Sequence, residues 1–347
     1  EWITHKDYRE SVLFNWMHVG RFIYIRPFSD RPRTGGELVM EEIYGVLKEY
    51  EGTRLIVIRR PQESNRSVPF LSTFRYFVYK NGLANRLVQD GYEVYGASKA
   101  GTIEYVQPAP KPATLTSYAA RRMVGYLELM SRANASNVRL AVYNSEYSLR
   151  NHRIGSAKKY TIIYPPLFKS YDFDPAKKQN IVVTISRIVP SKKLEFVGRA
   201  SEHVRAARFC VLGFLNPSNA GYLSRLTKRF PALEVYPNAP EALKSEILSK
   251  AKVYLHPPTD ESFLISKLEA MSAGVVPVVP LSGGIHEGVP KEQVYRDFDG
   301  MVDLVKNSLS SYNVERGRLF MDLARNYSLA NFRRRLKHTL DDYMGLS

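Results

Sequence analysis

The sequence predicts an α/β chain of two doubly wound domains in tandem, and three observations carry that prediction. Short apolar runs alternate with segments of helical periodicity along most of the chain. The alternation breaks once, at Pro165-Pro166 and the apolar-poor stretch 170–180, and 347 residues suffice for two cores at roughly 150 residues each. The expected boundaries are 1–168, 169–327 and a last helix, 328–347, packing back towards the first domain.

Residues 1–19 hold an apolar cluster between polar ends and read as a docked helix or arm whose role the sequence leaves open. Residues 21–25 form a first strand, followed by a Pro-, Gly- and Ser-containing loop ending in Gly35-Gly36 and a helix over 38–50. Such a glycine pair lets backbone approach a ligand, as phosphate-binding loops do. Strands follow at 54–58, 92–96, 103–108, 138–143 and 160–164, with helices within 68–90 and over 118–133. Strands alternating with helices imply a parallel sheet covered on both faces. The second series has strands at 181–185, 209–212, 233–236, 253–255 and 275–279, with helices at 194–207, 221–230 and 242–249 between them. The last helix places Leu329, Phe332, Leu336, Leu340 and Tyr343 on one packing face.

Composition narrows the partners. The formal charge is +16, spread over both halves of the chain rather than gathered in a tail, which suggests an anionic partner: a phosphorylated substrate, a phospholipid surface or nucleic acid. The even spread argues against a nucleic-acid clamp, which needs a basic stripe and stacking aromatics along one groove. One cysteine, Cys210, sits in an apolar run, reads as a core thiol and excludes an internal disulfide, fitting a reducing compartment. With no signal-like opening stretch and no apolar run near the roughly 20 residues of a spanning helix, the expected location is cytoplasmic, with a peripheral position at the membrane's cytoplasmic face.

In doubly wound domains ligands bind beyond the carboxyl ends of the strands, so two facing domains make a cleft between them. Arg187 and Lys192 fall in the loop after the first strand of the second domain, where a guanidinium and an ammonium can clamp a diphosphate. Glu261 and Glu269 lie eight positions apart around a helix start. Pro257, Pro258, Thr259 and Asp260 put Glu261 in the loop at the mouth, with Glu269 deeper along the helix and backbone N–H groups between them suited to phosphate oxygens. Asp172-Phe-Asp174 and Asp297-Phe-Asp299 mimic a metal-binding Asp-x-Asp pair, but their positions favour linker and helix-cap roles, and no metal site is expected. His256 and His286 lack metal-ligand spacing and read as cleft or loop histidines.

These motifs together, with Glu-Ala-Met-Ser-Ala-Gly274 and Gly283-Gly284-x2-Glu287, resemble the retaining GT-B glycosyltransferases of family 4, from residue 21 to the last helix. Residues 105–108, Asn144-Ser145, 163–166 and 222–226 are similar to those of the cytoplasmic mannosyltransferases that extend dolichol-linked oligosaccharides. The resemblance implies two Rossmann-like domains facing a central cleft and transfer of a hexose of mannose or glucose type from a GDP- or UDP-sugar. The product would keep its anomeric configuration, and no metal or other cofactor would be needed. Arg187 and Lys192 would hold the diphosphate, Gly35 and Gly36 would approach it from the first domain, Glu269 would accept from ribose, and Glu261 would contact the sugar. Ser262, Phe263 and Leu264 stand where the family often has Gly-Phe-Gly, leaving the sugar identity open. Gln107 replaces a usual histidine at the reacting centre and can hydrogen-bond without titrating. The acceptor is expected to be a lipid-linked or other glycan, with peripheral contact to anionic lipid. A soluble, protein or small-molecule acceptor, or a non-catalytic nucleotide-sugar-binding protein, fits the motifs as well.

Overall fold

The computed structural model describes residues 22–28, 35–50, 54–59, 92–95, 103–106, 140–151 and 157–345. The expected arm at 1–19, the loop 29–34, the helices within 68–90 and over 118–133, and Gln107 lie outside them.

The first domain carries a parallel sheet of β1 (Phe22–Phe28), β2 (Arg54–Arg59), β3 (Tyr92–Tyr95), β4 (Ile103–Val106), β5 (Leu140–Tyr143) and β6 (Lys159–Ile162), ordered β2-β1-β3-β4-β5-β6. Helix α1 (Gly35–Leu47) begins on the glycine pair itself, three residues before the start expected from its apolar spacing. A one-and-a-half-turn helix, α2 (Glu146–Asn151), follows β5.

The second sheet comprises β7 (Gln179–Ile185), β8 (Arg208–Gly213), β9 (Leu233–Pro237), β10 (Ala251–Leu255), β11 (Val276–Pro280) and β12 (Val294–Tyr295), ordered β12-β11-β10-β7-β8-β9 and parallel throughout. Between them run α3 (Glu195–His203), α4 (Ala220–Arg229), α5 (Glu241–Lys250) and α6 (Ile265–Ser272). Near-continuous apolar runs such as Ile181 to Val183 and Phe209 to Leu212 are buried, as strands covered on both faces require. Cys210 is buried among them, and burial pushes its thiol up to about 12.

Helix α7 (Phe298–Ser310) follows Asp297, as the helix-cap reading of Asp297-Phe-Asp299 implied, whereas α8 (Val314–Arg325) was not apparent in the sequence. In α8 only Gly317, Phe320 and Ala324 are buried, too narrow a stripe to announce a helix. Asp297 caps α7 by accepting from Gly300 N at 2.8 Å, and Asp174 caps a 3-10 turn by accepting from Ala176 N at 3.0 Å, so both Asp-x-Asp look-alikes serve as caps.

The last helix, α9 (Leu329–Met344), leaves the second domain and packs on the first. Phe332, Leu336 and Leu340 share a core with Val39, Ile43, Leu47 and Tyr105. Arg333 pairs with Glu42 at 2.7 Å and Lys337 with Glu49 at 2.6 Å, both acids on or just past α1, so these two cations of the last helix are engaged within the molecule. Beside it the interdomain connection is held rather than loose: Leu167 bridges to Ser328, and Leu167 N donates to Tyr327 O at 2.7 Å.

Candidate active site

The order of the second sheet fixes where a site can form. From β7 the chain winds one way through β8 and β9, then returns to β10 on the other side and winds away through β11 and β12. The crevice between the carboxyl ends of β7 and β10 is therefore the topological switch point, where doubly wound sheets bind ligands.

Both sides of that crevice carry charge. After β7, Ile188 N donates to Phe214 O at 2.9 Å and its side chain is fully buried, pinning the middle of the Arg187–Lys192 loop. A 3-10 turn, Pro190–Lys192, then turns Lys192 inward, while Arg187 stays exposed. After β10 come buried His256, two prolines and Thr259, and then Glu261, four residues before α6. Lys192 Nζ lies 2.6 Å from Glu261 Oε1, with side-chain exposures of 10% and 21%. Burial alone would raise the Glu261 carboxyl, but the hydrogen bond from His256 and the Lys192 ammonium hold it down at about 2. An ammonium has three protons, so Lys192 retains two for a phosphate while holding Glu261.

The loop 261–264 is pressed from below by Gly283 and Gly284. Gly284 N donates to Glu261 O at 2.8 Å, and Ser282 Oγ donates to Thr259 O at 3.0 Å. The side chains of Phe263 and Leu264 face the interior, at 7% and 6% exposure. Phe263 packs with Tyr164 and Tyr327, and Leu264 joins the core around Val183 and Tyr254. Neither side chain therefore obstructs the cleft, not even that of Leu264 at a position where the resembled family often has glycine, and only their backbone is available to a ligand there. Ser262 Oγ accepts from Asn144 Nδ2 at 2.9 Å, which joins this loop to the end of β5 in the first domain.

Glu269 sits in the second turn of α6, separate from the Glu261 cluster. It pairs with Lys244 of α5 at 2.8 Å, and burial raises its carboxyl against that cation. Lys244 was not singled out in the sequence, because it lies 25 positions from its partner on a different helix. From the first domain, the start of α1 meets the start of α6: a Cβ on Gly35 would lie 2.9 Å from Ile265 Cδ1. Gly36 is the next residue of the same turn. Glu287, known from the sequence only as part of a motif, caps α2 across the cleft by accepting from Glu146 N and Tyr147 N at 2.8 and 2.7 Å. His286 lies beside it, and its Nδ1 has no partner among the described residues.

Lys267 is the other residue that sequence reasoning missed. It is fully buried, donates to Ile285 O at 2.6 Å and to Glu287 O, and lies 4.4 Å from the Phe263 ring centroid. It follows Leu264 by three positions and precedes Met271 by four, so a cation on the apolar stripe of α6 was the available signal. Burial, only partly offset by Glu287, lowers its ammonium to about 7. Unfolded, the same group titrates near 10.4. The unfolded chain thus binds the extra proton between those values, and stability rises with pH across that window. Raising the pH from 7 to 9 is expected to stabilise the wild type by roughly 2 kcal/mol more than Lys267→Met, read from urea denaturation at both pH values. Equal slopes would show that Lys267 is not held in this environment.

Residues 169–296 match the family model described as glycosyl transferases group 1. Over this stretch the chain is similar to group 1 glycosyltransferases. Its bounds take in β7 to β12 and every charged residue of the crevice. Among solved structures, the chain is similar to sucrose-phosphate synthase from Thermosynechococcus elongatus, with a TM-score of 0.73 at 12% identity over 94% of this chain and 99% of that one. It is similar to HepE from Anabaena in complex with UDP, with a TM-score of 0.65 at 12% identity over 93% and 100%. WaaG, a glycosyltransferase involved in lipopolysaccharide biosynthesis, gives 0.65 at 13% identity over 93% and 99%. At these identities the likeness is one of fold, the two-domain GT-B fold. A search of curated proteins found no significant sequence match.

Proposed function

We propose that this glycosyltransferase domain and its partner domain transfer a hexose, of mannose or glucose type, from a nucleoside-diphosphate sugar to a glycan or lipid-linked acceptor. The observation that carries the reading is the meeting of Lys192 and Glu261 at the switch point, with exposed Arg187 in the same loop as Lys192 and α6 starting four residues after Glu261. In this reading Arg187 and Lys192 bind the diphosphate and stabilise the charge that accumulates on it as the glycosidic bond breaks, the main electrostatic demand of the reaction. Glu261 accepts from a sugar hydroxyl, Glu269 from the ribose once Lys244 yields or shares it, and the start of α1 at Gly35-Gly36 closes on the diphosphate. Arg187 and Lys192 place two cationic side chains at the diphosphate, which supports metal-independent transfer. Retention of configuration and the part of Gln107 at the reacting centre are extensions of the family resemblance.

The UDP bound by HepE favours a uridine donor over a guanosine one. WaaG's part in lipopolysaccharide biosynthesis and the formal charge of +16 favour an acceptor at an anionic membrane surface, reached from the cytoplasm. No described helix is long and apolar enough to cross a membrane.

The test is a thermal-shift panel of UDP, GDP, UDP-glucose and GDP-mannose, because a ligand that binds only the folded state raises its melting temperature by mass action. At least one member is expected to raise the melting temperature, and Glu261→Ala is expected to lose transfer while still binding the nucleoside diphosphate. If no nucleotide produces a shift, the donor-site assignment is wrong.

A further inference from the structure

The two oxygens of Glu261 are treated unequally. Oε1 is approached by Lys192 Nζ at 2.6 Å, Thr259 Oγ1 at 3.3 Å and His256 Nε2 at 3.3 Å, whereas Oε2 receives no hydrogen bond from the described residues. An ionised carboxylate can only accept, so His256 Nε2 must carry the proton that faces it, shared with Thr259 Oγ1 at 3.2 Å. With burial disfavouring the charged ring, Nδ1 is left as an acceptor, and the Tyr254 hydroxyl stands 3.3 Å from it. Tyr254 Oη is in turn 2.9 Å from Ser266 Oγ, which donates to Ile185 O at 3.2 Å.

The backbone of His256 is equally constrained. Its N–H donates to Val278 O at 3.1 Å, its carbonyl accepts from Tyr295 Oη at 2.6 Å, and the residue is 1% exposed. A buried imidazole engaged at both ring nitrogens and both peptide groups has one orientation available. Its environment also contains the charges of Glu261, Lys192 and Lys267. Ligand roles for Arg187, Lys192, Glu261 and Glu269 give this histidine nothing to do, yet its placement is the most determined in the crevice.

We propose that His256 is a positioning residue: with Thr259 it fixes Glu261 so that Oε1 stays on Lys192 and Oε2 is presented to the donor sugar. His256 thereby governs how the sugar is held, without contributing to nucleotide affinity. The inference rests on the reading of Glu261 as the sugar contact. It goes beyond that reading by assigning the orientation of the carboxylate to a residue that touches neither substrate nor product.

Two polar replacements separate the halves of the imidazole. His256→Gln places an amide donor near the position of Nε2 and can still reach Glu261. His256→Asn retains an acceptor near Nδ1 for Tyr254 but falls short of the carboxylate. His256→Asn is expected to lower kcat/KM for the nucleotide sugar roughly 10- to 100-fold, the scale of a misplaced reacting group, with the Kd of the nucleoside diphosphate within about 2-fold of wild type. His256→Gln is expected to recover kcat/KM to within about 5-fold of wild type. Thr259→Val, which removes the other neutral donor at nearly constant volume, is expected to show the same split and serves if His256→Asn does not fold. The proposal is overturned if His256→Asn keeps wild-type kcat/KM, if both His256 variants fall alike, or if loss of nucleotide affinity accounts for the change. Should the wild type bind no nucleoside diphosphate, the function proposed above fails and takes this inference with it. Nucleotide binding and transfer by the wild type with no effect of His256→Asn would defeat the inference alone.

Discussion

Lys192→Met is expected to abolish transfer and to destabilise the fold at the same time. The ammonium is asked to stabilise the departing diphosphate in a water-poor crevice, where one such group contributes about 3–4 kcal/mol to the barrier, so kcat should fall at least 100-fold. Stability falls because Glu261 is left with a charge facing two neutral donors. Breaking a fully buried pair costs about 3–5 kcal/mol, and the 21% exposure of Glu261 places this case at the lower end. Glu261→Gln combined with Lys192→Met should restore part of that stability and none of the activity, because the uncompensated charge is gone while the diphosphate clamp remains broken. Additive stability losses in this double-mutant cycle would show that the ion pair does not form in solution.

The second large effect is steric. A Cβ on Gly284 would lie 2.0 Å from Ser262 O, and one on Gly283 would lie 2.3 Å from Glu261 O and 2.9 Å from Glu261 N. These are backbone atoms of the loop that carries Glu261, so no side-chain rotation relieves the clash. Gly283 has φ +58° besides, a left-handed conformation in which a Cβ is strained. Gly284→Ala is expected to cost roughly 2–4 kcal/mol and most of the activity, because the loop must lift to admit the methyl group. Gly221→Ala, in exposed helical surface where the nearest atom is Arg225 Nη1 at 3.6 Å, is the matched control and should be neutral or stabilising by up to about 1 kcal/mol. Matching urea midpoints for Gly284→Ala and the control would remove the close approach of the two loops.

The alternation of strands and helices was legible because it is local: an apolar run bounded by turn residues, or apolar positions three and four apart, announces itself within ten residues. The loop position of Glu261 was legible for the same reason, since two prolines and Thr259-Asp260 precede it. The partnerships that define the site were not. Lys192 and Glu261 are 69 positions apart, and Lys244 and Glu269 are 25 apart; they meet only because β7 and β10 are neighbours across the switch point and α5 lies against α6. His256 read as a cleft or loop histidine because it lacks metal-ligand spacing, yet it remains in the interior as the residue after β10. Leu264 read as an intrusion at a glycine position, and the inward direction of Phe263 and Leu264 was not legible, since the direction of a side chain leaving an irregular loop depends on what lies beneath it. Here a cluster of Tyr164, Tyr327 and buried aliphatic side chains takes them in.

The return of α9 to the first domain affects how the protein is made. Val39, Ile43 and Tyr105 are translated early, but the apolar surface that covers them, Phe332, Leu336 and Leu340, is added more than 200 residues later. At synthesis rates of about 5–20 residues per second, the first domain's core waits on the order of ten seconds or longer for its last wall. The second domain has β7 to β12 complete before α9 appears and does not wait. The half of the cleft that is made first is therefore the half whose core stays uncovered longest during elongation.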